Sequence, residues 1–195
     1  MKILGLTGGM GMGKSTAAAA FRRARIPVFD ADATVHNMQA RGGRAVRAIE
    51  TAFPGTVRKG AVDRAALRRA VLGKPASLAR LEGILHPMVR QEERAFVARA
   101  RRRRNRAVVL DIPLLLETGG DQRVDRVIVV SAPRSIQLHR LRSRRRMTEA
   151  DIEAVMARQM PDAEKRRHAD TVIHTGLSRH HSLKSLRRVI REVLA

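Results

Sequence analysis

Short runs of consecutive apolar residues alternate along this chain with longer stretches whose apolar positions recur every three or four residues. The short runs are Ile3-Leu4-Gly5-Leu6, Ile26-Pro27-Val28-Phe29, Ala107-Val108-Val109-Leu110, Val127-Ile128-Val129-Val130 and Val172-Ile173. Their length suits strands, and continuous apolarity rather than strict alternation suits strands buried on both faces. Pro27 fits the beginning of a strand, where a missing N–H costs least. Helical stretches separate the runs, so the pattern predicts an α/β domain with a parallel sheet covered on both sides.

The first predicted helix, residues 15–21, is rich in alanine and free of breakers. The second run ends at Asp30-Ala31-Asp32, a polar helical stretch follows through Gln39, and Gly42-Gly43 and Pro54-Gly55 mark loops. From residue 61 to 100 the spacing of Ala66, Leu67, Ala70, Val71, Leu78, Leu81, Ile84, Leu85, Met88 and Val89 is helical. Pro75 is expected to break the first of these helices, and Pro87 to kink the second or start a new one. A helix follows from Arg134. Thr148 with Asp151 resembles a capping box opening another. Leu183, Leu186, Val189, Ile190, Val193 and Leu194 form the stripe of a closing helix. The whole of 1–195 reads as one domain, with residues of about 60–100 as a helical insertion.

Composition narrows the choices. The 195 residues contain no cysteine, which excludes disulfides, thiolate metal sites and cysteine nucleophiles. No apolar run reaches the roughly eighteen residues of a membrane span. The N-terminus MKILGLTGGM carries no leader-cleavage pattern, so a cytoplasmic location is the expectation. A net charge of +22 attracts polyanions, whether nucleic acid, acidic membrane surfaces or phosphorylated metabolites. Aromatic content is 2%, all phenylalanine, which gives a nucleic-acid binder little on which to stack bases.

The motif with the most chemistry is Gly8-Gly9-Met10-Gly11-Met12-Gly13-Lys14-Ser15, a full match to G-x-x-x-x-G-K-[ST] between a predicted strand and a predicted helix. Glycines let the backbone curl with its N–H groups inward, and the helix adds its positive end. Lys14 can reach the β- and γ-phosphates of a nucleoside triphosphate, and the Ser15 hydroxyl can ligate Mg²⁺. Met10 and Met12 occupy positions the motif leaves free. Neither Asn37 nor Asn105 is followed by lysine, so the base-reading element of Ras-type GTPases is missing. A small kinase acting on a small acceptor remains. Asp30 and Asp32 sit just past the second strand, at the edge where the carboxyl ends of a parallel sheet gather. Either could take or orient the acceptor hydroxyl's proton, or simply cap the helix that follows.

Together the motifs resemble the dephospho-coenzyme A kinase family. Leu6-Thr7-Gly8-Gly9-Met10-Gly11-Met12-Gly13-Lys14-Ser15-Thr16 is similar to its L-T-G-G-x-G-x-G-K-S-T signature, followed by Asp30-Ala31-Asp32. Leu85-His86-Pro87, Asp111-Ile112-Pro113-Leu114-Leu115-Leu116-Glu117, Gln137 with Arg140, Arg158-Gln159 and Ala169-Asp170-Thr171-Val172-Ile173 continue the series in order. The resemblance implies a P-loop kinase three-layer fold: a five-stranded parallel sheet, a helical substrate-binding insertion and a lid near residues 138–160. It also implies transfer of the γ-phosphoryl of ATP, with Mg²⁺, to the 3′-hydroxyl of dephospho-coenzyme A. By the same resemblance Asp32 is the general base, with Lys14 and Arg140 acting on the phosphoryl. Gly11, Met12, Gly13, Lys14, Ser15, Thr16, Arg144 and Thr175 would bind ATP, and Ser15 the metal. Thr7, Asp32, His86, Leu114 and Leu115 would meet the acceptor. Two departures stand out. Leu116 replaces a common phenylalanine. Val172-Ile173-His174-Thr175-Gly176 is one residue shorter than the family's V-I-[DN]-N-x-G, leaving base recognition to backbone groups.

Other features have plainer readings. His86 before Pro87 is either a capping or core histidine or an acceptor contact. His36, His139, His168, His174, His180 and His181 lack metal-ligand spacing, and His180-His181 are expected to face solvent. Arg101 to Arg104 read as a solvated helix end. Arg140, Arg142, Arg144, Arg145 and Arg146 fall where nucleotide kinases carry a lid, and at least one is expected to touch phosphate. Rival readings are another small-molecule or nucleotide kinase and a basic nucleic-acid binder regulated by ATP. No helix-turn-helix supports the second, so no specific nucleic acid and no membrane is expected, and the chain is expected to be a monomer or weak homo-oligomer.

Overall fold

The computed structural model describes residues 1–143, 148–157 and 159–194. In chain order the elements begin β1 (Lys2–Thr7), α1 (Lys14–Arg23), β2 (Val28–Asp30), α2 (Ala31–Gln39), α3 (Val46–Ala52), β3 (Val57–Arg58), β4 (Ala61–Val62), α4 (Arg64–Val71) and α5 (Pro75–Arg102). They continue with β5 (Ala107–Asp111), β6 (Arg126–Ser131), α6 (Arg134–Arg142), α7 (Glu149–Ala157), α8 (Asp162–Arg167), β7 (Thr171–His174) and α9 (Arg179–Leu194). The chain divides into two compact units, Met1–Phe29 with Arg99–Ala195, and Asp30–Ala98.

The first unit is built on a five-stranded parallel sheet in the order β2-β5-β1-β6-β7. Its register pairs Leu6 with Asp111 across β1 and β5, and Thr7 with Val129 across β1 and β6. The loop that follows Thr7 therefore leaves the centre of the sheet beside the end of β5. Side chains alternate between the faces, which explains the unbroken apolar runs. Leu4, Leu6, Val109, Ile128 and Val130 pack against Ala17, Ala18 and Phe21 of α1 and Leu186, Val189 and Val193 of α9. Val127 and Val129 point the other way, against Leu115 and Leu116. Burying a side chain such as Phe21 contributes about 1.5–3 kcal/mol.

The second unit has its own core of Met38, Ala45, Ile49, Phe53, Val62, Leu67, Leu81 and Leu85. The Asp63 side chain caps α4, accepting from the Ala65 and Ala66 amides at 3.0 Å each. Those bonds, Ala66 foremost, hold its carboxyl below the usual aspartate range, helped by the nearby Arg58 charge.

Three expectations change. Pro75 does not break a helix: α4 stops at Val71, and Pro75 opens α5, where a residue without an N–H costs nothing. Pro87 lies inside α5, so of the two readings for it the new helix start is the one that fails. The carbonyl it leaves without a donor belongs to Gly83, which is exposed and open to water. Residues 57–62 form a small antiparallel hairpin rather than the lead-in to a helix, with Val57 opposite Val62. Its turn residues Lys59 and Gly60 have φ of 51° and 75°, the two positive values of a type I′ turn.

Candidate phosphate-binding site

The loop between β1 and α1 is held from behind by side chains distant in sequence. Gln137 Nε2 donates to the Met10 carbonyl at 2.8 Å, and the Met10 amide donates to Gln159 Oε1 at 3.1 Å. Arg140 Nη1 donates to Gly11 O at 3.3 Å and to Thr175 Oγ1 at 3.1 Å, and its Nη2 donates to Thr175 O at 2.7 Å. The Thr175 hydroxyl donates to Met12 O at 2.6 Å. The Met12 side chain is buried, and its Sδ accepts from the Ala132 amide at 3.1 Å. The loop is thus stitched to α6 and to the segments just after β6, α7 and β7.

Gly13 ends the loop with φ of 92° and caps α1 with no side-chain bond. The left-handed backbone suits glycine, and an added Cβ would sit 3.3 Å from Thr175 Oγ1. The first N–H groups of α1, those of Lys14 and Ser15, are therefore available to an anion, with the helix dipole behind them. Within the loop, Met12 N donates to Gly9 O at 3.1 Å, and Thr16 N donates to Gly13 O at 3.0 Å. Met12 is a packing residue whose backbone shapes the loop, not a free position.

Lys14 donates from its ammonium to the Asp111 carboxylate at the end of β5. The Lys14 side chain is 18% exposed and that of Asp111 is 5% exposed. Asp111 was named in the sequence only as part of a motif. Its signal was the one that singled out Asp30 and Asp32, a carboxylate closing an apolar strand. Lys165 received no notice at all, yet it is buried at 1% exposure, with Nζ 2.8 Å from Glu117 Oε1 and 3.3 Å from Pro113 O. Glu117 Oε1 also accepts from the Met160 amide at 2.9 Å.

The residues expected to meet the acceptor fall into different settings. Thr7 is fully buried and its hydroxyl donates to Pro113 O at 2.9 Å. Leu115 is likewise fully buried, among Leu116, Val127 and Val129. Both pack against the chain's own atoms around the loop after β5. Leu114 is half-buried and His86 exposed. In the second unit, the Asp30 side chain caps α2 through the Ala33 amide at 2.9 Å, and Asp32 lies in the first turn of that helix. The capping role weighed for the pair thus belongs to Asp30.

Of the lid arginines, Arg140 lies against the loop as described, and Arg142 pairs with Glu149, Nε to Oε1 at 2.7 Å and Nη2 to Oε2 at 3.3 Å. The Arg142 hydrogen bond holds the Glu149 carboxyl below the usual glutamate range, and the same bond raises the Arg142 guanidinium. Arg144, Arg145, Arg146 and Arg158 lie outside the described residues. His180 and His181 are exposed, as expected. Among the described residues no three carboxylates or histidines gather to hold a metal, and no helix is long and apolar enough to cross a membrane.

This arrangement can grip an anionic phosphate chain and place a lysine against it. The chain matches the family model described as dephospho-CoA kinase over residues 2–179. It is 61% identical over 166 residues to a protein of Paramagnetospirillum magneticum named dephospho-CoA kinase, covering 85% of this chain and 78% of that one. The similarly named protein of Gluconobacter oxydans is 51% identical, covering 99% and 98%. Among solved structures, TT1252 from Thermus thermophilus superposes with a TM-score of 0.87 at 31% identity, over 100% of this chain and 98% of that one. With a nucleotide-type phosphate loop at the centre of a parallel sheet and full-length relatives of one kind, this chain belongs to the dephospho-CoA kinase family.

Proposed function

We propose that this protein transfers the γ-phosphoryl group of ATP to the 3′-hydroxyl of dephospho-coenzyme A, giving coenzyme A and ADP. The observation that carries the reading is Lys14 at the uncapped start of α1, on a loop stitched in place from behind. A fixed loop lowers the reorganisation needed when charge moves across the phosphates. Lys14 meets the β- and γ-phosphates, exchanging the Asp111 carboxylate for a phosphate oxygen. Arg140 contributes by holding Gly11 and by its positive charge beside the loop. Asp32 accepts the proton of the acceptor hydroxyl as the oxygen attacks phosphorus and the bond to ADP breaks. Leu114 and His86 contact the acceptor, and Arg144 the phosphates.

Mg²⁺ prefers oxygen donors, and the Ser15 hydroxyl with the Asp111 carboxylate offers them. When bound, the ion neutralises charge on the phosphoryl oxygens. The remaining work is positioning by the chain itself. The enzyme acts in the cytoplasm, as a monomer or a weak homo-oligomer.

A coupled assay of ADP release tests the reading. ADP release should depend on dephospho-coenzyme A. Strong turnover of nucleoside monophosphates with none of dephospho-coenzyme A would replace it by another kinase activity.

A further inference from the structure

Met10 has both of its backbone polar groups taken by glutamine side chains. Its carbonyl accepts from Gln137 Nε2 at 2.8 Å and its amide donates to Gln159 Oε1 at 3.1 Å. The two glutamines come from opposite ends of the 138–158 segment, Gln137 from α6 and Gln159 from just after α7. Gln137 is buried at 5% exposure, so its amide is not there to meet water. An added Cβ on the neighbouring Gly9 would lie 3.2 Å from Gln137 Nε2 and 3.4 Å from Gln159 Oε1, so both amides press on the loop. The Gly9–Met10 peptide is thus held by its N–H and the Met10–Gly11 peptide by its carbonyl, and neither can rotate without breaking its bond.

We infer that Gln137 and Gln159 are positioning residues for ATP: they lock the two peptides that flank Met10 and so fix the phosphate loop, while tying both ends of the 138–158 segment to it. The polarity is fixed by the backbone. Position 137 must donate and position 159 must accept. This rests on the proposed kinase reading only for the substrate, because the lock concerns the loop itself.

The test compares isosteric substitutions that change polarity and little else. Calorimetry gives the dissociation constant of ATP, steady-state kinetics give KM for both substrates, and thermal melts report the fold. Gln137→Leu and Gln159→Leu should each weaken ATP binding roughly tenfold, the effect of leaving one partly buried backbone group unpaired. KM for dephospho-coenzyme A should stay within about twofold, since the lock acts on the phosphate loop alone. Gln159→Glu keeps an acceptor and should bind ATP within about threefold of the parent. Gln137→Glu loses the donor and should behave like Gln137→Leu at pH 8. Its ATP affinity should recover towards pH 5.5, as a carboxyl facing a carbonyl takes up its proton. Added negative charge is common to both glutamate variants, so the asymmetry isolates the hydrogen bond. Equal effects of the two glutamate variants, or unchanged ATP binding in both leucine variants, would overturn the inference. Should the parent protein bind ATP yet ignore dephospho-coenzyme A, the kinase reading fails while the ATP-binding comparison still decides this one.

Discussion

Lys14, the first residue of α1, and Asp111, the last residue of β5, form an ion pair across the head of the sheet. The pairing of Leu6 with Asp111 in the β1–β5 register puts that carboxylate beside the strand from which the phosphate loop springs. The carboxylate both neutralises the lysine and aims it. Lys14→Ala should lower kcat roughly 100-fold or more, as loss of one preorganised donor does, and weaken ATP binding as well. Asp111→Asn keeps an acceptor for the ammonium but loses the charge. It should retain the fold and lose most of its turnover. A Lys14→Ala variant with near-parental kcat would remove the lysine from the chemistry.

Asp32 lies in the first turn of α2, whose cap is Asp30. Asp32→Asn should reduce kcat by roughly 10²–10⁴, the usual share of a general base, while leaving the calorimetric ATP affinity intact. Parental turnover in this variant would take Asp32 out of the role. Asp30→Asn should preserve activity, because asparagine caps a helix about as well.

Lys165 and Glu117 make a buried ion pair, with Lys165 at 1% exposure. Glu117 Oε2 is buried without a hydrogen-bond partner among the described residues, so the pair is not fully satisfied. Lys165→Met alone should destabilise by about 3–5 kcal/mol, because it strands a buried carboxylate. Adding Glu117→Leu should recover much of that loss, since an apolar pair of similar volume is often neutral or stabilising. Urea unfolding of the single and double variants measures both. A double variant as unstable as the single one would show that the charges are not what matters there.

Arg142 and Glu149 join the end of α6 to the start of α7. The Arg142 hydrogen bond lowers the Glu149 carboxyl, so the pair's contribution is complete above the ordinary glutamate value of about 4.3. It is lost as pH falls through the lowered value. Carboxyl NMR titration should show Glu149 protonating below the ordinary range, and returning to it in Arg142→Gln. An unchanged midpoint in that variant would dissolve the pair.

What the pattern of residues revealed and what it hid follow from range. All five sheet strands were legible because burial on both faces leaves an unbroken apolar signature, as in Val108 to Leu110. The phosphate loop was legible because its glycines and lysine are contiguous. The β3–β4 hairpin was not, since two-residue strands carry no periodicity. Helices α3 and α8 are too short to build a stripe. Gln137, Gln159 and Thr175 were visible as motif or site residues, but their role as supports of the loop was hidden for another reason. Gln137, Gln159 and Thr175 lie between 127 and 163 residues from their partners on the loop, and nothing local marks a side chain that will hydrogen-bond a distant backbone.

One phosphoryl group passes from ATP to the ribose 3′-hydroxyl of dephospho-coenzyme A. Supplying γ-³²P-labelled ATP and identifying the labelled product by chromatography and mass spectrometry follows that group itself. Label is expected in coenzyme A, gained one for one with ADP formed, and none when the acceptor's 3′-hydroxyl is replaced by hydrogen. Label appearing only as inorganic phosphate, or passing equally to the 3′-deoxy acceptor, would contradict it.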